Sequence, residues 1–367
     1  MLINELYLDG YRNYKETTAT FCKSINVING SNAQGKTNLI EAINYLATGR
    51  SFRPAGDKEL IAFERESACI RASIISGERE QKLEARIFRA KRRQLYANDV
   101  KLIKASELTG RLTTVLFCPD DLNIIKAGAA IRRKLMDSCL SQLRPNYLIA
   151  LTEFNRLYEH KTRILKDHFK KPALLELLDD FNLQLAQQSA KLIYYRSAFA
   201  KGLSDRAAEI HSEFSNRKET LTVNYKTVGQ TNASGKKPEE LLPDLLKHQQ
   251  QHKQAELKSG LCLSGAHKDD LEININNVPA RKFASQGQAR TASVSLKLAE
   301  RDIHYDDRNE YPVLLLDDVL SELDSKRQNF ILERIKHGQV FITCCDENAS
   351  LNNENSKTIH IENGKIL

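Results

Sequence analysis

The chain has 367 residues, 41% of them hydrophobic, and carries 55 Lys and Arg against 47 Asp and Glu, a formal net charge of +8. This length suits two domains, or one domain with a large insertion, and the apolar fraction can supply a core. No apolar run is long enough to span a membrane and the N-terminus lacks a signal-peptide pattern, so we expect a cytoplasmic protein without a membrane partner. The basic charge suits a polyanion such as nucleic acid.

The number and spacing of the cysteines argue against a disulfide-bonded or zinc-binding scaffold. The chain has seven cysteines, an odd number, and none of them forms a C-x-x-C pair. A disulfide framework or a zinc module is therefore not expected. Cys344 and Cys345 are adjacent in a strand-like segment, and we predict that both are core thiols.

The first 117 residues are predicted to form a mixed β-sheet around one helix. The candidate strands are residues 2–8, 25–29, 68–75, 82–88 and 115–117. Asn98 and Asp99 lie between short apolar positions and predict a turn.

A phosphate-binding loop follows the second candidate strand. Residues 30–37 read Gly-Ser-Asn-Ala-Gln-Gly-Lys-Thr, the pattern G-x-x-x-x-G-K-[ST], and a helix is predicted over 38–47. Strand, glycine loop and helix together form the context that this motif needs. Lys36 would reach the β- and γ-phosphates of ATP, and the Thr37 hydroxyl would ligate Mg²⁺. The backbone N–H groups that would surround the phosphates belong to Gly30, Ser31, Asn32, Ala33, Gln34 and Gly35.

The middle of the chain is predicted to be mainly helical. Apolar residues recur at three- and four-residue spacing over 147–166 and 172–199, and again over 239–257, where Pro243 would interrupt the helix. Residues 231–238 form a polar loop. No heptad register is sustained, so a long coiled coil is not predicted.

Strand signals return from residue 261 onward. Residues 271–276 alternate, whereas 313–316 and 340–343 are continuous apolar runs typical of buried strands. We therefore predict a nucleotide-binding domain in two parts, residues 1–117 and 261–367, separated by a helical insertion at 118–260.

Two acids end the strand at 313–316. Four apolar residues followed by Asp317 and Asp318 fit a Walker B strand. Asp317 would organise the Mg²⁺ shell, and Asp318 would orient or deprotonate the attacking water. Lys36 and Asp317 lie 281 positions apart, which agrees with a large insertion.

A second helix N-terminus is predicted at 285–288, Ser-Gln-Gly-Gln. Ser285 is a good N-cap, and Gly287 permits close approach of a backbone. Such a terminus can bind phosphate, or it can be an ordinary capped helix.

These residues carry a family resemblance. Residues 285–288 resemble the signature motif of ABC-type ATPases, and Ser-Glu-Leu-Asp at 321–324 resembles their D-loop. The two-part head with a helical insertion is similar to the chromosome-maintenance and break-repair branch, and segments 11–14, 48–53 and 265–271 extend the resemblance over nearly the whole chain. The fold implied is α/β, an ABC-type P-loop ATPase head with a mixed β-sheet, split by a mainly helical insertion domain.

The sequence departs from the family pattern in three places. Ala266 and the stretch 127–130 lack the usual prolines, and the segment after the strand at 340–343 lacks the switch histidine of transporter-type ATPases. Thr343 is a candidate sensor of the γ-phosphate.

The resemblance also implies a mechanism. Ser285, Gly287 and Gln288 would complete the ATP site of a second copy, so that ATP holds a homodimer together and slow hydrolysis releases it. Arg12 matches a phosphate-contacting position, whereas Gln34 would only shape the loop. The implied partners are double-stranded or gapped DNA and the recombination mediators RecR and RecO, and the implied activity is a weak DNA-dependent ATPase in replication and repair.

Two other functions are compatible with a phosphate loop. A transporter-type ABC subunit would need a membrane partner, and a small-molecule kinase would lack the signature helix and D-loop. The basic clusters at 91–93, 132–134 and 161–171 can each be a solvated face or a DNA contact.

Overall fold

A computed structural model describes residues 1–230, 233–344 and 356–367. The N-terminal elements are β1 (Leu2–Tyr11), β2 (Tyr14–Thr20), β3 (Ile25–Asn29), α1 (Lys36–Thr48), β4 (Ser67–Ser76), β5 (Arg79–Phe88), β6 (Gln94–Ala97), β7 (Val100–Lys101) and β8 (Thr114–Phe117). The middle elements are α2 (Ala129–Leu143), α3 (Pro145–Asp167), α4 (Leu178–Phe214), β9 (Leu221–Lys226), α5 (Pro238–Ser259), β10 (Asp270–Ile275), β11 (Val278–Pro279) and α6 (Ala280–Phe283). The C-terminal elements are α7 (Gln286–Arg308), β12 (Val313–Leu316), α8 (Ser325–Arg334), β13 (Val340–Cys344), β14 (Ser356–Glu362) and β15 (Lys365–Ile366).

Residues 1–123 and 293–367 form one compact unit with two six-stranded sheets. One sheet is antiparallel, in the order β2-β1-β4-β5-β6-β7. The other has the order β15-β14-β3-β13-β12-β8 and is parallel except for β15. Every residue of β3 and β12 is buried, as the continuous apolar runs predict for a parallel sheet. Helix α1 contributes Leu39, Ile40 and Ile43 to a hydrophobic core that also contains Ile28 of β3 and Leu315 of β12.

Residues 124–292 form the second compact unit. Its helix α4 packs against α3, α5 and β9, and its sheet has the order β11-β10-β9. The interior of this unit contains ion pairs, because Arg196 lies 2.7 Å from Asp269 and Lys161 lies 2.7 Å from Glu256, all four being buried or nearly so. Buried charges need such partners.

The segment 265–271 is part of that charged interior. The Asp269 carboxylate accepts hydrogen bonds from the Tyr225 hydroxyl at 2.5 Å and from Thr227 at 2.7 Å. Burial lowers the pKa of His267 to about 4, so its ring is neutral at pH 7 and packs 4.6 Å from the ring of Tyr158. These contacts indicate a structural role for the segment.

The unit boundaries differ from the predicted ones. Residues 261–292 belong with the helical unit rather than with the head, because β10 pairs with β9 along its whole length. Residues 118–123 belong with the first unit, where the carbonyl of Leu122 accepts from the Ser293 hydroxyl at 3.0 Å. The division therefore falls at 123/124 and 292/293.

Several elements extend beyond their predictions. Helix α4 continues to Phe214, and α5 runs through Pro243 without a break. Pro243 is the sixth residue of α5 and cannot donate the bond that would join it to the Glu239 carbonyl, yet the helix continues to Ser259. Asn98 and Asp99, with φ of 50° and 63°, form the predicted turn between β6 and β7.

The described residues include only part of the segments for which the cysteine and polar-loop predictions were made. Among the six cysteines that the structure describes, Cys139 and Cys262 are buried and Cys344 is half-buried. Cys345 and residues 231–232 of the polar loop lie outside the described residues. In the parts of the chain that the structure covers, no helix combines the length and apolar character needed to cross a bilayer.

Candidate nucleotide-binding site

The phosphate loop runs from β3 into α1 with strained glycines at both ends. Gly30 and Gly35 have φ of 152° and 121°, values that side chains rarely adopt. A Cβ on Gly35 would lie 2.7 Å from Asn13 Nδ2, and one on Gly30 would collide with the carbonyl of Ile361. Both positions of the motif therefore require glycine.

Lys36 is buried at the first turn of α1. Its Nζ donates to the carbonyl oxygens of Gly30 at 2.5 Å and Ser31 at 3.0 Å. The ammonium group is thus held across the mouth of the loop, where a phosphate oxygen would meet it.

The Walker A and Walker B elements meet at Thr37. The Thr37 hydroxyl donates to Asp317 Oδ1 at 3.0 Å, and the Thr343 hydroxyl lies 3.2 Å from the same oxygen. The Asp318 amide donates to Thr343 Oγ1 at 2.7 Å, and Asp318 has a left-handed φ of 56°. The strained turn aims Asp318 into the cavity that Lys36 also lines.

The oxygen donors around Asp317 are suited to a divalent cation. Burial raises the pKa of its carboxyl, against the lowering effect of the Thr37 and Thr343 hydroxyls. A buried carboxylate beside a threonine hydroxyl is the hard-oxygen donor set that Mg²⁺ prefers. The residues present therefore suit the ion that the sequence implied.

A cavity of about 330 Å³ lies over these groups. It is lined by Asn32, Ala33, Gly35, Lys36, Thr37, Asn38, Arg53, Asp318 and Thr343. Most of the predicted loop residues and Asp318 therefore share one cavity. Arg53 and Asn38, which the sequence analysis did not single out, join them.

Arg12 points elsewhere. Its guanidinium forms a paired contact with the carboxylate of Glu41, with both distances at 2.9 Å, and donates to the Glu59 carbonyl at 3.0 Å. The cation that lines the cavity is Arg53, which bonds Asn38 at 2.5 Å and Glu41 at 3.1 Å. Arg12 thus supports the cavity through Glu41.

Glu41 is the centre of this support. Burial acts to raise its pKa, but hydrogen bonds from Arg12 and Ser51 and the charge of Arg53 outweigh burial, so the pKa is lowered. The carboxylate stays ionised and fixes both arginines. An acid on the buried face of a predicted helix was the sequence signal that could have revealed it.

Gln34 is held by contacts with two turns that lie beside the loop. Its carbonyl accepts from Asn13 Nδ2 at 2.7 Å and from the Gly364 amide at 3.1 Å, and its side chain accepts from the Asn363 amide at 2.5 Å. Two hairpin turns therefore hold the outer side of the loop.

The signature segment lies in the second unit and is described by itself. The Ser285 amide donates to Gln288 Oε1 at 2.9 Å, and the Gln288 amide donates to Ser285 Oγ at 3.2 Å. This reciprocal pair is a capping box, so Ser285 is the predicted N-cap. Gln288 also donates through Nε2 to Glu219 at 2.8 Å, which leaves its side chain fully used. Gly287 is partly exposed in the first turn.

Comparisons with known proteins agree with this geometry. The family RecF/RecN/SMC N terminal domain matches residues 2–366. The chain is 37% identical to the DNA replication and repair protein RecF of Acetivibrio thermocellus, over 95% of this chain and 94% of that protein. It is 37% identical to the same protein of Clostridium tetani, over the full length of both.

Solved structures extend the similarity to three dimensions. The recombination mediator protein RecF-ATPrS in the RecFOR pathway is 33% identical, with a TM-score of 0.93 over 100% of this chain and 97% of that one. A Smc head from Pyrococcus furiosus, 16% identical with a TM-score of 0.54 over 100% of this chain and 95% of that one, shares the fold. The α/β fold is thus that of an ABC-type ATPase head, as predicted. The chain belongs to the RecF family of DNA replication and repair proteins.

Proposed function

We propose that this protein binds DNA under the control of ATP, during replication and recombinational repair, and hydrolyses ATP slowly to release it. The observation that carries the proposal is the 3.0 Å contact between Thr37 and Asp317, which joins the phosphate loop to the acidic strand end. That pairing is specific to P-loop nucleotide chemistry. The relatives named RecF supply the setting in repair.

The residues of the phosphate loop and of the acidic end of β12 would each have a role in hydrolysis. The loop amides and Lys36 would hold the β- and γ-phosphates, and Thr37 and Asp317 would hold Mg²⁺, which when bound neutralises phosphate charge. Asp318 would accept a proton from the attacking water as its oxygen bonds to the γ-phosphorus and the bond to ADP breaks. Asp318 is shorter than glutamate and holds the water less closely, so we expect slow turnover.

A second copy of the chain would complete the site. We assign Ser285 and Gly287 to γ-phosphate recognition across a homodimer, since the Ser285 hydroxyl can still donate. Gln288 would position Ser285 rather than touch ATP, because its amide is already bonded to Ser285 and Glu219. ATP then favours the closed dimer only through contacts made there.

DNA binding would follow closure. The net charge of +8 supports contacts with phosphates, so affinity should fall steeply with salt. We infer a preference for duplex DNA, including gapped duplexes, and RecR and RecO as partners, because the similar structure is a component of the RecFOR pathway.

The test combines fluorescence anisotropy of a labelled gapped duplex with light scattering, with and without ATP·Mg²⁺. The wild type should dimerise and bind DNA only with ATP, whereas Ser285→Arg should bind ATP normally and do neither. ATP-independent DNA binding by both proteins would contradict ATP control.

A kinase or transporter subunit would give a different result. A kinase should be indifferent to Ser285→Arg and should not retain DNA. Steady-state hydrolysis as fast as in transporters would contradict a release switch.

A further inference from the structure

A second cavity in the first unit, of about 540 Å³, is surrounded by positive charge. Three separate chain segments contribute to it: residues 57–58, 87–95 and 101–105. We call it the basic groove and define it by five exposed cations, Lys58, Lys91, Arg92, Lys101 and Lys104.

The only acid among the groove's described lining residues is Asp57, and it is already paired. Arg93 NH1 lies 3.1 Å from Asp57 Oδ2 and donates to the Gly49 carbonyl at 2.6 Å and the Tyr45 hydroxyl at 2.9 Å. Arg93 therefore anchors the loop between β5 and β6 to the end of α1. Arg93 and Asp57 therefore neutralise each other's charge within the protein.

The five groove cations remain unpaired. No acid within residues 1–230, 233–344 and 356–367 forms an ion pair with any of them. A cluster of exposed positive charge of this kind attracts a polyanion.

The other two basic clusters differ in this respect. Arg132 is buried and lies 2.6 Å from Asp270, and Arg133 donates to the Asp269 carbonyl at 2.7 Å. Lys161 is buried against Glu256. Part of each cluster thus stabilises the second unit, whereas Lys91 and Arg92 face solvent.

The chemistry of the floor indicates what kind of anion fits. Ile87 and Leu95 are buried beneath the groove, which gives a rigid base. Phe88 is the one aromatic residue among the described lining residues, and Lys91 Nζ lies 4.0 Å from its ring centroid. The lysine occupies one face of the only aromatic ring among these residues, so the groove offers charge rather than a platform for stacking bases.

We propose that the basic groove binds the sugar-phosphate backbone of DNA without reading sequence. This inference rests on the proposed DNA-binding function and locates one contact surface for it. Five cations on three segments match a repeating polyanion better than a single anion. Ile103 is 91% exposed beside them, but one isolated apolar residue is ordinary on a protein surface.

The experiment measures the salt dependence of binding to the gapped duplex in ATP·Mg²⁺. Two double variants remove charge from two of the chain segments that line the groove, Lys91→Gln with Arg92→Gln and Lys101→Gln with Lys104→Gln. The matched control, Lys15→Gln with Lys23→Gln, removes the same charge from exposed positions of the first unit that lie outside the three basic clusters. Thermal melting checks that all three variants fold.

Each groove variant should flatten the slope of log K against log salt by about 2, and weaken binding about 30-fold at 0.15 M salt, since each direct phosphate contact releases roughly one counterion. The control should change the slope by less than about 0.5. Weaker binding with an unchanged slope would mean that the removed cations make no contact with DNA phosphates, and would overturn the proposal.

Other outcomes separate the two hypotheses. Equal losses in groove and control variants would overturn the groove while leaving DNA binding in place. Wild-type protein that binds no DNA would overturn both. A labelled poly-glutamate peptide that binds wild type but not the groove variants, with DNA affinity unchanged, would assign the groove to an acidic protein partner instead.

Discussion

Two helix N-termini in this protein, those of α1 and α7, are built in opposite ways. Within the part of the chain that the structure describes, no side chain caps α1, and its N-cap is Gly35. Helix α7 is capped by the reciprocal bonds of Ser285 and Gln288. An uncapped N-terminus leaves its N–H groups for an anion, whereas the cap of α7 already engages the amide of Gln288 in the free protein. The N-terminus of α1 is therefore the better prepared of the two to receive an anion in the free protein.

The largest expected effect removes the charge at α1. Lys36→Met should weaken ATP binding about 100-fold or more, because losing a buried cation beside a phosphate costs roughly 3 kcal/mol. Isothermal titration measures this, with Lys15→Met on exposed β2 as the control. Retained affinity would mean that the loop amides alone hold the nucleotide, and the contrast with α7 would disappear.

The next test concerns the carboxylate beside α1. The folded protein raises the pKa of Asp317, so this group contributes stability below its unfolded pKa and loses it as pH rises through the folded pKa. Asp317→Asn keeps an acceptor for Thr37, and should raise the free energy of unfolding by about 1 kcal/mol at neutral pH without nucleotide or Mg²⁺.

Urea unfolding at several pH values measures that difference. It should shrink as pH falls from neutral toward the ordinary carboxyl range, where the wild-type group is also neutral. Stabilisation by ATP·Mg²⁺ should be lost in the variant. A less stable variant at neutral pH would show that the carboxylate is not strained by burial.

The smallest effect concerns the cap of α7. Ser285→Ala removes the acceptor for the Gln288 amide and should lower the free energy of unfolding by about 1 kcal/mol, the usual value of a lost N-cap. Ser138→Ala, inside α2, serves as a control and should change stability by less than about 0.5 kcal/mol. Equal effects in urea unfolding would mean that the capping box contributes nothing.

The sequence predicted strand bounds best where a fully buried strand appears as a continuous apolar run. Strands β3 and β12 have their predicted bounds, because continuous apolar runs flanked by the loop and the acids admit few alternatives. Strand β2 was missed, since only two of its seven residues are buried and its exposed side shows no apolar alternation. Strand β9 was missed as well, and with it the reason for placing 261–292 in the helical unit.

The features of the site that the sequence did not predict depend on contacts between positions far apart in the chain. The phosphate-loop residues follow from a local motif, and the cavity contains them as expected. The ion pairs of Glu41 with Arg12 and Arg53 depend on how two loops fold onto α1, and no local sequence pattern predicts that. The bond between Gln288 and Glu219 likewise joins positions 69 residues apart.

The hairpin of β14 and β15 has a consequence for biosynthesis. The Gly364 amide supports the loop carbonyl of Gln34, and the Ile361 carbonyl occupies the space beside Gly30. While the ribosome is still elongating the chain, the phosphate loop has been made but its outer wall has not. The phosphate loop therefore gains these supporting contacts only after residues synthesised more than 300 codons later have emerged.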